Sequence, residues 1–99
     1  MTAHSETIPS SGVALVDFSA SWCGPCRAVA PMIEELAETY ASRATVKKVD
    51  IDQNRDLALQ MGVQSVPTLI VFKDGQEHKR LIGAQSKADL QAALENALS

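Results

Sequence analysis

The chain contains two cysteines, Cys23 and Cys26, three positions apart in Trp22-Cys23-Gly24-Pro25-Cys26. An apolar run, Val13 to Phe18, precedes them, and a run with helical periodicity, Arg27 to Tyr40, follows. Cysteines at i and i+3 across a first helical turn bring their sulfurs within bonding reach, in a small ring. A helix N-terminus carries partial positive charge and unpaired N–H groups, and both stabilise a thiolate at the first cysteine. Pro25 suits this place, because an N–H missing from the first turn has no intrahelical acceptor to lose. A dithiol at such a strand-to-helix junction points to thiol–disulfide exchange. Half of a zinc site is the other chemistry the pair offers. Zinc usually takes four ligands. There is no second cysteine pair, and the two histidines, His4 and His78, stand in a polar N-terminal stretch and a later strand, so zinc would require a dimer. No metal is expected.

Asp17 is the second candidate. It interrupts the apolar run between Val16 and Phe18. A carboxylate in an apolar strand must be paired or protonated. Burial raises its pKa, which suits it to take the proton of Cys26 as that thiol attacks. An aspartate at a strand edge facing water is the alternative; the apolar flanks favour burial.

The totals narrow the class. A chain of 99 residues makes one domain with a single modest core. Its hydrophobic content of 45% and charged content of 21% are ordinary for a soluble globule. A net charge of −3 without a basic block argues against a nucleic-acid partner. No apolar run approaches the roughly 18 residues a bilayer requires, so no membrane partner is expected. Met1 to Ser11 is polar, without the basic and apolar regions of a secretory signal, and the reading is a cytoplasmic protein. Two lone cysteines in that compartment are more often catalytic or metal-binding than a structural staple.

The elements that must position these residues follow from periodicity. Residues 1–11 read as a flexible N-terminal arm and 12–99 as the domain. Val13 to Phe18 fits a central strand buried on both faces. Val29, Ile33, Leu36 and Tyr40 mark the core stripe of the helix after the cysteines, and Pro31 inside it predicts a kink. Thr45 to Ile51 is a valine-rich strand that completes a right-handed parallel βαβ unit. Asn54 is a ready N-cap for a short helix, Arg55 to Met61, closed by Gly62. Thr68 to Phe72 and Gln76 to Ile82 form a hairpin about Asp74-Gly75. Ser86 caps a last helix whose apolar face is Leu90, Ala93, Leu94 and Ala97, with Asp89 three residues after the cap. Lys73, Lys79 and Arg80 read as solvated surface. Trp22 and Gly24 read as an apolar rim for docking; a core position is the alternative for Trp22.

Val16-Asp17-Phe18, Trp22-Cys23-Gly24-Pro25-Cys26, Pro31, Lys48, Asp50-Ile51-Asp52-Gln53-Asn54, Val66-Pro67-Thr68, Phe72-Lys73-Asp74-Gly75 and Gly83 together resemble the thioredoxin family in identity, order and spacing. The resemblance covers Gly12 to Ser99. It departs at two places. The βα unit that usually precedes the aspartate-bearing strand is missing or reduced, and Ser19 stands where the family usually has tryptophan.

The resemblance implies a thioredoxin-like α/β fold with a mixed four-stranded sheet flanked by helices. It implies protein-disulfide reduction, with Cys23 as nucleophile, Cys26 as resolving thiol, a Cys23–Cys26 disulfide in the oxidised form, and Asp17 as proton acceptor with Lys48 as its partner. It makes Pro67 cis, leaving the N–H and C=O of Val66 to pair with an extended substrate. Pro25 and Gly83 join Trp22, Gly24, Val66 and Pro67 on the docking surface. It implies no bound cofactor, with electrons coming from NADPH through a separate flavoprotein thioredoxin reductase, disulfide-containing client proteins, and a monomer. A disulfide oxidase or isomerase on the same fold, and a redox-inert binding module, are the competing readings. Gly-Pro between the cysteines speaks against the first, and the intact set Asp17, Cys23, Cys26 and Pro67 against the second.

Overall fold

The computed structural model describes residues 8–99. These residues form four strands, β1 (Val13–Ser19), β2 (Ala44–Asp50), β3 (Thr68–Lys73) and β4 (Gln76–Ile82), and three helices, α1 (Gly24–Thr39), α2 (Arg55–Gln60) and α3 (Lys87–Leu98), in the order β1-α1-β2-α2-β3-β4-α3. The strands lie in the order β2-β1-β3-β4. β1 pairs parallel to β2 and antiparallel to β3, and β3 pairs antiparallel to β4. This is the mixed four-stranded α/β sheet expected from the sequence.

The continuous apolar run of β1 has a simple cause, since every residue of the strand is buried. Successive side chains of a strand point to opposite faces. Val13 and Leu15 pack on one face with Val29, Ile33 and Leu36 of α1 and Leu90 and Leu94 of α3. Ala14, Val16 and Phe18 pack on the other with Leu57 of α2, Ile70 and Phe72. Leu15, Leu36, Leu90 and Leu94 are fully covered, and truncating any one to alanine costs about 2–5 kcal/mol. By the same alternation, Asp17 and Ser19 lie on the face that carries α1, and so does Lys48 of β2, in step with Ala44 and Val46, which pack against the α1 core.

The ends of the elements follow local chemistry. α1 starts directly after Cys23 and continues through Pro31 to Thr39 as one helix. Gly62 follows the C-cap of α2 with φ +68, the left-handed conformation a glycine adopts without Cβ strain. Asp74 and Gly75 both have positive φ, 53 and 82, as a two-residue hairpin turn requires. Ser86 Oγ accepts the Asp89 N–H at 3.1 Å, the cap read from the sequence. Asn54 differs. It occupies the N-cap position of α2, but its side chain makes no cap bond; its Nδ2 donates to Asp50 O at 2.9 Å.

β4 carries a bulge that the sequence does not announce. Val71 pairs with Lys79 and Phe72 with Glu77, so His78 is the extra residue. Of the expected arm, residues 1–7 lie outside the described residues. Next to them Ile8 is buried against the α2-side core.

Candidate active site

The dithiol is built by the turn between β1 and α1. Cys23 N donates to Ala20 O at 3.2 Å, which closes the turn, and Cys23 is the N-cap of α1 in an extended conformation. Its Sγ accepts the Cys26 N–H at 3.2 Å. A sulfur thus occupies the place where a serine or aspartate oxygen normally caps a helix. Negative charge at that sulfur faces unpaired N–H groups and the positive end of the helix, which lowers the cost of a thiolate there. Cys23 and Cys26 are joined as a disulfide with their Cα atoms 5.3 Å apart. Exposure alone barely separates them, at 5% and 3%. Their neighbours do separate them. Cys23 Sγ lies 3.7 Å from Val66 O, whereas Cys26 lines a cleft on the other side.

On the Cys23 side the Val66–Pro67 bond is cis. The strand entry is held by two bonds: Thr68 Oγ1 donates to Ser65 O at 2.7 Å, and Gly83 N donates to Pro67 O at 2.8 Å. Trp22 is 64% exposed, so it belongs to the surface and not to the core. Its indole N–H donates to Asp52 Oδ2 at 2.9 Å. Ile82 is also largely exposed, and Gly24 and Pro25 are exposed at the start of α1.

On the Cys26 side a cleft of about 390 Å³ opens between α1 and the β1–β2 edge, lined by Ser19, Cys26, Arg27, Pro31, Glu34 and Lys48 among others. Asp17 lies beneath this region on the same sheet face. It is fully buried, and neither carboxylate oxygen has a hydrogen-bond partner among the described residues. Burial pushes its pKa up, and the Lys48 charge pulls it partly back, leaving it raised from 3.8 to about 6. Lys48 is the residue directly opposite Asp17 in the β1–β2 register. It acts on Asp17 through space, without a hydrogen bond.

The structure places Lys48 opposite Asp17 and on the cleft that Cys26 lines, and Val66, before cis-Pro67, beside Cys23, which Trp22 precedes on the surface. Gly83 joins the Cys23 side through its bond to Pro67 O. Asp52 was missed as the partner of Trp22, since a side-chain pair 30 positions apart is set by the fold. Arg80, read as solvated surface, is half-buried and bonded to backbone carbonyls. Among the described residues no three His, Cys, Asp or Glu are grouped to hold a metal. His78 pairs with Asn96 at 2.9 Å.

Comparison with known proteins places this arrangement. The thioredoxin family model matches residues 1–96. The thioredoxin of Alicyclobacillus acidocaldarius is 47% identical over 93 residues, covering 94% of this chain and 89% of that protein. The thioredoxin of Staphylococcus aureus is 50% identical over 88 residues, covering 89% and 85%. Among solved structures, a mutant thioredoxin from Halobacterium salinarum superimposes with a TM-score of 0.84 at 40% identity, over 90% of this chain and 77% of that one. The thioredoxin of Malassezia sympodialis gives 0.86 at 31% identity, over 96% and 83%. Family proteins of this kind work with disulfide substrates and a thioredoxin reductase and need no bound cofactor. With its Cys-x-x-Cys pair at the N-terminus of α1, the chain belongs to the thioredoxin family and is a dithiol–disulfide oxidoreductase.

Proposed function

We propose that the chain works in the reducing direction, taking electrons from NADPH through a flavoprotein thioredoxin reductase and passing them to client disulfides, as a monomer in the cytoplasm. The observation that carries the reading is the asymmetry of the two sulfurs: Cys23 caps the helix beside Val66 O, and Cys26 faces the cleft above Asp17. In the reduced form, the Cys23 thiolate attacks one sulfur of a client R–S–S–R′. R′S⁻ leaves and a Cys23–S–S–R mixed disulfide remains. Asp17 takes the proton of Cys26, and the resulting thiolate attacks Cys23 Sγ. RS⁻ leaves, the Cys23–Cys26 disulfide forms, and two electrons have passed to the client. Lys48 holds Asp17 partly toward its charged form. Trp22, Gly24, Pro25, Gly83 and the backbone of Val66 at cis-Pro67 form the docking rim for an extended client segment.

The compartment rests on chemistry: a reductant of this type acts where the surroundings keep thiols reduced. No helix of the described residues is long and apolar enough to cross a membrane. The test is reduction of insulin with NADPH and a bacterial thioredoxin reductase. Wild type turns over, Cys23→Ser does not, and Cys26→Ser accumulates a mixed disulfide at Cys23. Turnover with dithiothreitol but none with the reductase removes that partner from the reading. A Cys23–Cys26 reduction potential nearer −120 to −180 mV than the family's roughly −270 mV favours an oxidase or isomerase instead.

A further inference from the structure

Arg80 sits in the edge strand β4 opposite Ile70, on the sheet face covered by α2. Regular alternation would put Glu77 on the other face. The bulge at His78 restores it to the same face, opposite Phe72, and makes an i,i+3 fork possible. The fork forms: Arg80 Nε donates to Glu77 Oε2 at 2.9 Å and Nη2 to Oε1 at 2.8 Å. With two of its nitrogens held by Glu77, the guanidinium aims its remaining donors away from the strand. Nη2 also donates to Met61 O at 2.5 Å, and Nη1 approaches Gly62 O at 3.4 Å. The first of these is a carbonyl that the end of a helix leaves unpaired, and the second follows it directly. Met61 is the C-cap of α2, and Gly62 opens the segment that runs through Val66 to Pro67.

We propose that Arg80, oriented by Glu77, is a positioning residue for the redox reaction. It fixes the upstream end of segment 61–66, as Thr68 and Gly83 fix the downstream end, so that the Val66 backbone keeps its place beside Cys23. Both ends of the segment are then tied to the β3–β4 hairpin, one through a cation and the other through Gly83 N to Pro67 O at 2.8 Å and Thr68 Oγ1 to Ser65 O. The span between the two anchors carries the carbonyl 3.7 Å from Cys23 Sγ. The inference rests on the reading of Val66 as a docking backbone.

The test is Arg80→Met, which keeps the aliphatic cover over the sheet and removes the fork, alongside Glu77→Gln, which leaves the cation and loosens its aim. Two measurements are made on each: amide exchange at Val63, whose N–H donates to Ala58 O at 2.9 Å directly beside the clamp, and steady-state kinetics with insulin and with a small aromatic disulfide. Loss of a charge-assisted bond accelerates Val63 exchange in Arg80→Met about tenfold and raises KM for insulin about three- to tenfold. In the same variant kcat and the small-disulfide rate stay within about twofold of wild type, since neither needs the segment to hold an extended chain. Glu77→Gln moves both readouts the same way by less. Unchanged Val63 exchange in Arg80→Met overturns the clamp whatever the kinetics. Faster exchange with unchanged KM shows that the clamp exists but does not act on client docking, which overturns the role in the reaction. Equal losses with insulin and the small disulfide show a general structural effect and overturn it too.

Discussion

Asp17→Asn separates the stability of the fold from the chemistry of its site. Asp17 is fully buried and its pKa is raised from 3.8 to about 6, chiefly by desolvation and against the pull of Lys48. A raised carboxyl favours folding when protonated. Its contribution is therefore intact below the unfolded value of 3.8 and is lost as pH rises through the folded value of about 6. At 1.36 kcal/mol per unit, the full difference is about 3 kcal/mol. The linkage relation leaves under about 1 kcal/mol of it expressed at pH 4, about half at pH 5 and nearly all of it by pH 8. Asparagine has no charge to desolvate, and its amide meets the same unpaired surroundings as a protonated carboxyl. The oxidised variant is accordingly more stable than wild type by about 2–3 kcal/mol at pH 8, with the gain shrinking to under about 1 kcal/mol at pH 4. Urea unfolding followed by fluorescence of Trp22, the single tryptophan, at five pH values reads this difference directly, and other carboxyls cancel between the two proteins. Insulin reduction falls tenfold or more in the same variant, because the amide accepts no proton. Equal stability at pH 8, or a gain that grows toward acid, would refute burial of an ionising carboxylate.

Lys48→Met removes the charge that opposes desolvation, so Asp17 titrates above about 6 and stability relative to wild type drops most above neutral pH; carboxyl-carbon NMR of Asp17 shows the shift, and an unmoved titration would exclude coupling across the β1–β2 pair. Ser86→Ala removes the oxygen that accepts Asp89 N at 3.1 Å and costs about 1 kcal/mol in urea unfolding, with insulin kinetics unchanged. Gly62→Ala forces a Cβ onto a residue with φ +68 and costs about 1 kcal/mol by the same assay, although the added Cβ meets only Arg80 Nη1, at an ordinary contact distance of 3.9 Å.

How much of this was legible in the chain depended on the range of the cause. β1 and the α1 stripe were legible because burial on a strand or helix imposes a period, and Val13–Ser19 and Gly24–Thr39 fall within a few residues of the runs read from it. The Asp74-Gly75 turn and the Ser86 cap were legible because each is satisfied within four residues. The N-cap position of the short helix was legible and is Asn54, but its missing cap bond was not, since the side chain has two local choices and donates to the carbonyl of Asp50. The bulge at His78 has no local signature, as it depends on the partner strand, so the Glu77–Arg80 fork it creates could not be read as anything but surface charge. The burial of Ile8 depends likewise on a face assembled from distant residues. At the site, the types and spacing of Cys23, Cys26 and Asp17 stated the chemistry. The bond of Trp22 to Asp52 and the cleft beside Ser19 appeared only with the fold.

The arrangement around the disulfide answers a problem any dithiol carrier meets. The attacking sulfur needs a neighbourhood in which a thiolate is cheap, and the resolving sulfur needs one that keeps its proton until the mixed disulfide has formed. In the proposed mechanism one helix turn supplies both, with Cys23 attacking, Cys26 resolving and Asp17 accepting the proton. At the N-cap, Cys23 Sγ meets the Cys26 N–H and the positive end of α1. Cys26, inside that turn, looks toward a face where β1 presents a carboxyl with no hydrogen-bond partner among the described residues. A carboxyl titrating near 6 is ionised enough at neutral pH to accept a proton and basic enough to hold it, a balance set by desolvation on one side and Lys48 on the other. If desolvation acted alone the acceptor would more often be protonated already; if Lys48 bonded it directly, it would be too weak a base. The absence of a hydrogen bond from Lys48 to the Asp17 oxygens is thus the feature on which this balance turns: the lysine is exposed on an edge strand, and its charge acts on the buried carboxyl from there.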